Sequence, residues 1–176
     1  MTKSESVNQE TVNQNKNELT IMRIIDAPRE LVWKAWTEPD CMMRWWGPKG
    51  FTSPVCKIDP RVGGEYLNLM RSPEGKDFWS VGVFREIVMP ERLVMTDSFA
   101  DKHGNIVKAT HYGLSQDFPL EMLITAILEE HEGKTKLTIK HSGIDSISDK
   151  DRGDMQQGWN ESLDKLIDNI QYCNKE

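Results

Sequence analysis

The stretch DKDRGDMQQGWNESLDKLIDNI, residues 149–170, decides the fold. Met155, Trp159, Leu163, Leu166, Ile167 and Ile170 recur at three- and four-residue spacing and make one apolar stripe along a helix. Asp151, Glu161, Lys165 and Asp168 belong to its wet side. The helix starts near Ser148 or Asp149 and runs about 22 residues, so at 1.5 Å per residue it is about 33 Å long and spans a whole sheet.

Upstream, the sequence supplies that sheet. Segments 54–59, 63–71, 78–88, 92–99, 120–130 and 134–141 read as strands. Their boundaries are turn signals, among them Gly63-Gly64, Pro73-Glu74-Gly75, Met89-Pro90-Glu91 and Glu132-Gly133. Connections this short join antiparallel neighbours. A first strand covers 19–25. Asp26-Ala27-Pro28 then starts a helix, with Asp near the N-cap and Pro at the first helical position. Leu31, Val32, Ala35 and Trp36 share one face of it, and Glu38-Pro39 ends it. A second short helix covers 39–45, stopped by Gly47-Pro48. Residues 100–119 are polar and without period, and a loop of that length suggests a lid or a binding loop.

The chain has 176 residues, room for one domain whose core hides roughly 70% of the unfolded surface. Residues 1–18 hold too few apolar groups to offset their ordering entropy and read as a disordered tail; 19–172 form the domain and 173–176 its end. The net charge is −6 with no basic block, which argues against a nucleic-acid partner. No run of about 18 apolar residues would form a transmembrane segment, and no apolar leader begins the chain, so a cytoplasmic protein is expected. Cys41, Cys56 and Cys173 are odd in number and far apart, and read as reduced thiols.

The chemistry motifs are mostly missing. His103, His111, His131 and His141 sit in separate segments, so no metal is expected; no nucleophile elbow or phosphate loop appears, and no cofactor is implied. The aromatics are informative. Trp33, Trp36, Trp45 and Trp46 fall within fourteen residues, with Phe51 following, as around the entrance of an apolar cavity. Strand parity places Asp97 with Leu93, Met95 and Phe99, and His141 with Thr135, Leu137 and Ile139. Each is therefore a strand-end group reaching water or a polar handle inside a cavity. In 120–130 the face of Leu120, Met122, Ile124, Ala126 and Leu128 points to the core, while Glu121 and Glu129 point out. Segments 63–71 and 78–88 are mixed on both sides and give no choice of face.

Read in order, these motifs resemble a known family. Asp26-Ala27-Pro28 with Val32-Trp33 and Trp36 looks like its first strand-to-helix junction. Trp45-Trp46-Gly47-Pro48 with Phe51, then Asp59, Arg61, Gly63-Gly64 and Tyr66, looks like its central signature. Gly133, Thr135 and Leu137, and Gly158-Trp159 leading to Leu163 and Leu166, look like its closing strand and helix. The family is the SRPBCC or START-like superfamily, in the branch similar to the C-terminal domain of the activator of heat-shock-protein-90 ATPase (AHSA-type). The resemblance implies an α+β helix-grip fold: a curved antiparallel sheet wrapped around a long C-terminal helix, with an apolar cavity between them. Its members carry lipids or sterols, cyclise polyketides, sense hormones, bind flavonoid-like ligands, sequester antibiotics or act as co-chaperones in stress responses. Fold alone does not choose among these.

The expectation that follows is non-enzymatic binding of a small hydrophobic, aromatic or lipid-like ligand. Expected wall residues from the first half are Trp33, Trp36, Trp46, Phe51, Tyr66 and Phe84. From the second half they are Met95, Phe99, Met122, Ile124, Met155, Trp159 and Leu163. Expected polar contacts are Asp97, His111, Tyr112 and His141. One alternative is an interaction module whose partner is a chaperone ATPase. The eukaryotic activator has a separate N-terminal domain without counterpart here, which weighs against it. Another is a cyclase or hydrolase, which would need a pair among Asp97, His111 and His141 to share the cavity. A homodimer is left open.

Overall fold

The β6–β7 hairpin shows how local sequence builds the sheet. His131 pairs with Lys134, leaving a two-residue loop of Glu132 and Gly133, both at positive φ (51° and 79°). That is the type I′ geometry whose twist matches its flanking strands, and Gly133 adopts it without a Cβ clash. β6 (Met122–His131) and β7 (Lys134–Ser142) join β1 (Glu18–Ile25), β2 (Cys56–Ile58), β3 (Glu65–Arg71), β4 (Asp77–Val88) and β5 (Arg92–Ala100) in one sheet. The computed structural model describes residues 15–174. The seven strands are antiparallel throughout, in the order β1-β7-β6-β5-β4-β3-β2. The pairing of β4 with β5 slips between Phe84 and Glu86, a bulge that bends the sheet.

Chain order makes this sheet a grip. β1 lies at one edge and β2 at the other, so α1 (Arg29–Thr37) and α2 (Pro39–Met42) carry the chain between them. α3 (Asp149–Asn169) follows β7 and continues as a 3-10 turn, Ile170–Asn174. Ser148 caps α3 by accepting from the Asp151 N–H at 3.1 Å. Arg23 on β1 fastens its middle, donating to Asp164 at 2.7 Å and to the Asn160 carbonyl at 3.0 Å. Leu163, Leu166 and Ile170 of the stripe are buried against the inner sheet face, where Ile124, Ala126, Leu137 and Ile139 are nearly inaccessible. This is the α+β helix-grip architecture.

Several boundaries and faces differ from the sequence reading. The tail expected over 1–18 lies outside the described residues up to residue 14, but residues 15–18 are attached. The Asn17 carbonyl accepts from the Gly143 N–H at 3.0 Å, Arg152 donates to the Asn15 carbonyl at 2.8 Å, and β1 already starts at Glu18. Pro28 occupies the cap position of α1, not the first helical position, and among the described residues no side chain caps the start of that helix. α1 buries Trp33 and Thr37 as well as its expected face, because it is packed from both sides. Leu120 precedes β6 and is 53% exposed. Of the four wet-side residues of α3 only Asp168 is exposed, while Asp151, Glu161 and Lys165 are partly buried. The expected loop 100–119 is tied down by an Ala100–Ile106 bridge and a 3-10 turn at Ala109–Tyr112. Among the described residues no helix is long and apolar enough to cross a membrane.

Candidate functional site

A hollow remains because the two halves of α3 differ. Toward its C-terminus, Leu163, Leu166 and Ile170 fill the space above the sheet. Toward its N-terminus Asp151, Asp154, Gly158 and Ser162 also line the space, too small or too polar to fill it beside Met155 and Trp159. A cavity of about 440 Å³ results, within the range of sites that enclose a small ligand. The sheet contributes Met70, Phe78, Ser80, Asp97, Phe99, Met122, Ile124 and His141, and the turn before β2 contributes Trp46, Gly47, Pro48 and Phe51. Leu114 and Phe118 of the 100–119 segment form part of the rim, and Met155 and Trp159 look down from α3.

The 47–51 turn is held by a lysine. Lys165 Nζ donates to the carbonyls of Pro48 at 3.3 Å and Phe51 at 3.1 Å. Burial holds its ammonium below the usual lysine range, since desolvation penalises the charged form. At Gly158 a Cβ would lie 3.6 Å from Pro48, so the helix and this turn are in close but relaxed contact.

One polar group of side chains interrupts the apolar wall. Trp159 donates its indole N–H to His141 Nδ1 at 3.0 Å. His141 Nε2 lies 3.3 Å from Asp97 Oδ2, yet among the described residues it makes no hydrogen bond of acceptable angle. The other Asp97 oxygen accepts from Tyr66 Oη at 3.3 Å, and Tyr66 also donates to the Thr96 carbonyl at 2.7 Å. Burial first and the Asp97 charge second push the Tyr66 phenol well above its usual range, so it stays protonated. Ser80 Oγ, on the same wall, is buried without a partner among the described residues.

The cavity brings together nine of the expected residues: Trp46, Phe51, Asp97, Phe99, Met122, Ile124, His141, Met155 and Trp159. Eight others stand apart. Trp33 and Trp36 are buried behind the wall, and Trp36 packs on other indoles, meeting Trp45 at 5.0 Å and stacking on Trp159 at 6.1 Å. Tyr66, Phe84, Met95 and Leu163 are core residues, each at most 4% exposed. Tyr112 packs its ring on Phe78 and Phe99 and donates its hydroxyl to the Ala100 carbonyl, so it supports the wall from outside. His111 is exposed on the 3-10 turn. Met70, Phe78 and Ser80 went unrecognised because β3 and β4 are mixed on both faces. Gly158, a small residue on the inner side of a long helix, was the one readable sign of the gap.

Away from the cavity, the fold buries Cys41 of α2 beside Cys173 of the C-terminal turn, both as free thiols. Burial raises both, Cys173 to about 12, and Cys56 is likewise pushed up to about 12.

Comparison with known proteins adds the following. The family described as activator of Hsp90 ATPase homolog 1-like protein matches residues 26–170. No curated protein matches the chain. A crystal structure of a protein from Chromobacterium violaceum is 28% identical, covers 88% of this chain and 96% of its own, and superposes with a TM-score of 0.69. A solution structure from Staphylococcus epidermidis shares 21% identity over 94% of this chain and 96% of its own, at a TM-score of 0.74. The AHSA1 protein of Silicibacter pomeroyi shares 20% identity over 88% and 98%, at 0.70, and like the staphylococcal protein it bears on the fold alone.

Proposed function

The chain belongs to the family of activator of Hsp90 ATPase homolog 1-like proteins, and from that premise we propose that it binds a small, mainly apolar ligand without transforming it. The observation that carries this reading is the 440 Å³ cavity walled by Trp46, Phe51, Phe78, Phe99, Phe118 and Trp159. Transfer of apolar ligand surface from water into such a wall is favourable by about 25 cal/mol per Å² before ordering costs. Trp46 and Trp159 make binding visible, since a ligand against their rings changes tryptophan emission. Aromatic and lipid-like compounds titrated into the protein should change that emission and raise the melting temperature. Gly158→Leu, whose side chain would grow into the hollow, should abolish both responses while the protein stays folded. Equal responses in the two proteins would refute the reading.

Two other readings have a specific support each. The family description supports a partnership with a chaperone ATPase; under the ligand-binding reading, adding the protein to a purified Hsp90-type ATPase leaves the rate unchanged. The proximity of Asp97 and His141 supports acid–base chemistry. Recovery of every bound compound chemically unaltered is the outcome expected of a binder.

A further inference from the structure

Resting on the ligand-binding reading, we propose that the cavity takes a lipophilic amine in its protonated form, the ammonium donating to Asp97 Oδ2 and the hydrocarbon body lying against the aromatic wall. Asp97 lines the cavity with 15% of its side chain exposed. A carboxylate this far out of water is costly unless an opposite charge or several hydrogen bonds compensate it. Asp97 has little of either. Its Oδ1 accepts only from Tyr66 at 3.3 Å, and the single proton of that hydroxyl is already directed to the Thr96 carbonyl at 2.7 Å. Among the described residues its one ionic neighbour is His141. The Trp159 indole N–H can only donate, so His141 Nδ1 accepts and carries no proton, which leaves the imidazole uncharged. Asp97 Oδ2 accepts no hydrogen bond among the described residues and, unlike His141 Nε2, it is not closed off.

The surroundings favour a cation over other head groups. Asp151 and Asp154 add carboxylates to the lining, and neither lysine nor arginine is on it. Basic groups on adjoining segments are engaged elsewhere: Lys165 with the Pro48 and Phe51 carbonyls, Arg152 with those of Asn15 and Glu18, and Lys76 with that of Tyr112. Lys150 pairs with Asp154, but both are mostly exposed and such a pair is weak. The rings of Trp46, Phe78, Phe99 and Trp159 supply the other half of the match, since an ammonium is drawn to aromatic faces and its apolar body gains from burial. A hydroxyl brings no charge to offset that of Asp97, and a carboxylate brings a like charge. A hard metal ion needs several ligands, and no group of three converges among the described residues.

Calorimetry at pH 7 on the full chain with 2-naphthylmethylamine, 2-naphthylmethanol and 2-naphthoate tests this, because the three share a ring system and differ in the charge of the head group. The amine should bind about tenfold more tightly than the alcohol, the effect of one charge-assisted hydrogen bond, and 2-naphthoate should bind more weakly than either. Asp97→Asn keeps the shape and removes the charge. With folding checked by its melt, it should bind amine and alcohol equally, the alcohol as tightly as the wild type does. Carbon NMR of the wild type needs no variant: the Asp97 carboxyl signal should move on adding the amine and stay on adding the alcohol. Should the wild type bind the alcohol or 2-naphthoate as tightly as the amine, or the carboxyl signal ignore the amine, or folded Asp97→Asn keep the full preference, ammonium recognition at Asp97 is overturned and the apolar cavity stands. Failure of all three compounds to bind overturns both.

Discussion

Tyr66 lies across Gly82, its register partner on the neighbouring strand, with the ring where a side chain would be. A Cβ built on Gly82 would come within 2.6 Å of the phenol Cζ and would collide with the Thr96 carbonyl. That carbonyl accepts the Tyr66 hydroxyl, so the missing side chain lets the ring reach across β4 and anchor beside Asp97. Gly82→Ala should therefore destabilise by about 3 kcal/mol, the upper range for overpacking, because backbone cannot move aside. A melt lowered by about 6–12 °C is the expected reading. Gly153 on α3 has nothing within 4 Å of its would-be Cβ. Gly153→Ala should instead stabilise by about 0.5–1 kcal/mol through helix propensity.

Trp159→Phe keeps most of the packing but removes the donor to His141 Nδ1. An acceptor left buried and unpaired costs about 1–3 kcal/mol, which chemical denaturation will measure. In the variant Nδ1 is free to take the proton, so the imidazole no longer has a fixed tautomer. Nitrogen NMR of His141 should show one dominant Nε2–H form in the wild type and a mixture in Trp159→Phe.

Lys165→Met retains the apolar stem and deletes the ammonium that holds the Pro48 and Phe51 carbonyls. Since both residues line the cavity, the variant should lose ligand affinity more than it loses stability. Binding titration and thermal melting of the same sample separate the two. A melt that falls with affinity untouched would mean the turn keeps its shape without the lysine.

Stability should decline in alkali. Cys56 and Cys173 are raised from 9.0 to about 12, chiefly by burial, so the folded chain keeps protons that the unfolded chain has already lost. A raised pKa gives stability that is present below pH 9 and fades as pH climbs from 9 to 12. Lys165, lowered by burial, acts in the opposite sense below 10.5, so the comparison is between wild type and Cys56→Ala at each pH, which cancels it. The expected result is a shallower fall for Cys56→Ala. The same protonation predicts slow reaction of these thiols with an aromatic disulfide reagent at pH 8, and fast reaction once urea unfolds the chain.

Legibility in the sequence followed the clarity of local period. In β5, β6 and β7 parity sets Asp97, Phe99 and His141 among apolar residues and points Met122 and Ile124 to the core, and all five line the cavity. β3 and β4 carry mixed residues on both faces, and Met70, Phe78 and Ser80 went unseen for that reason. The tryptophans mislead in a different way. Trp33 and Trp36 satisfy any compositional test for a cavity wall, yet both are buried in the core, Trp36 by packing on other indoles.

The sequence by itself determined the helix of 149–170, the strands with their hairpin turns, and the placing of a carboxylate and an imidazole on faces shared with apolar residues, because propensity and period act over a few residues. Only tertiary structure decided which aromatics meet one another and which meet empty space. It also decided that Trp159 and Asp97, from separate elements, meet at His141, with Tyr66 behind Asp97. These outcomes depend on how far α3 stands off the sheet, a distance set jointly by every side chain between them and by no single stretch of chain.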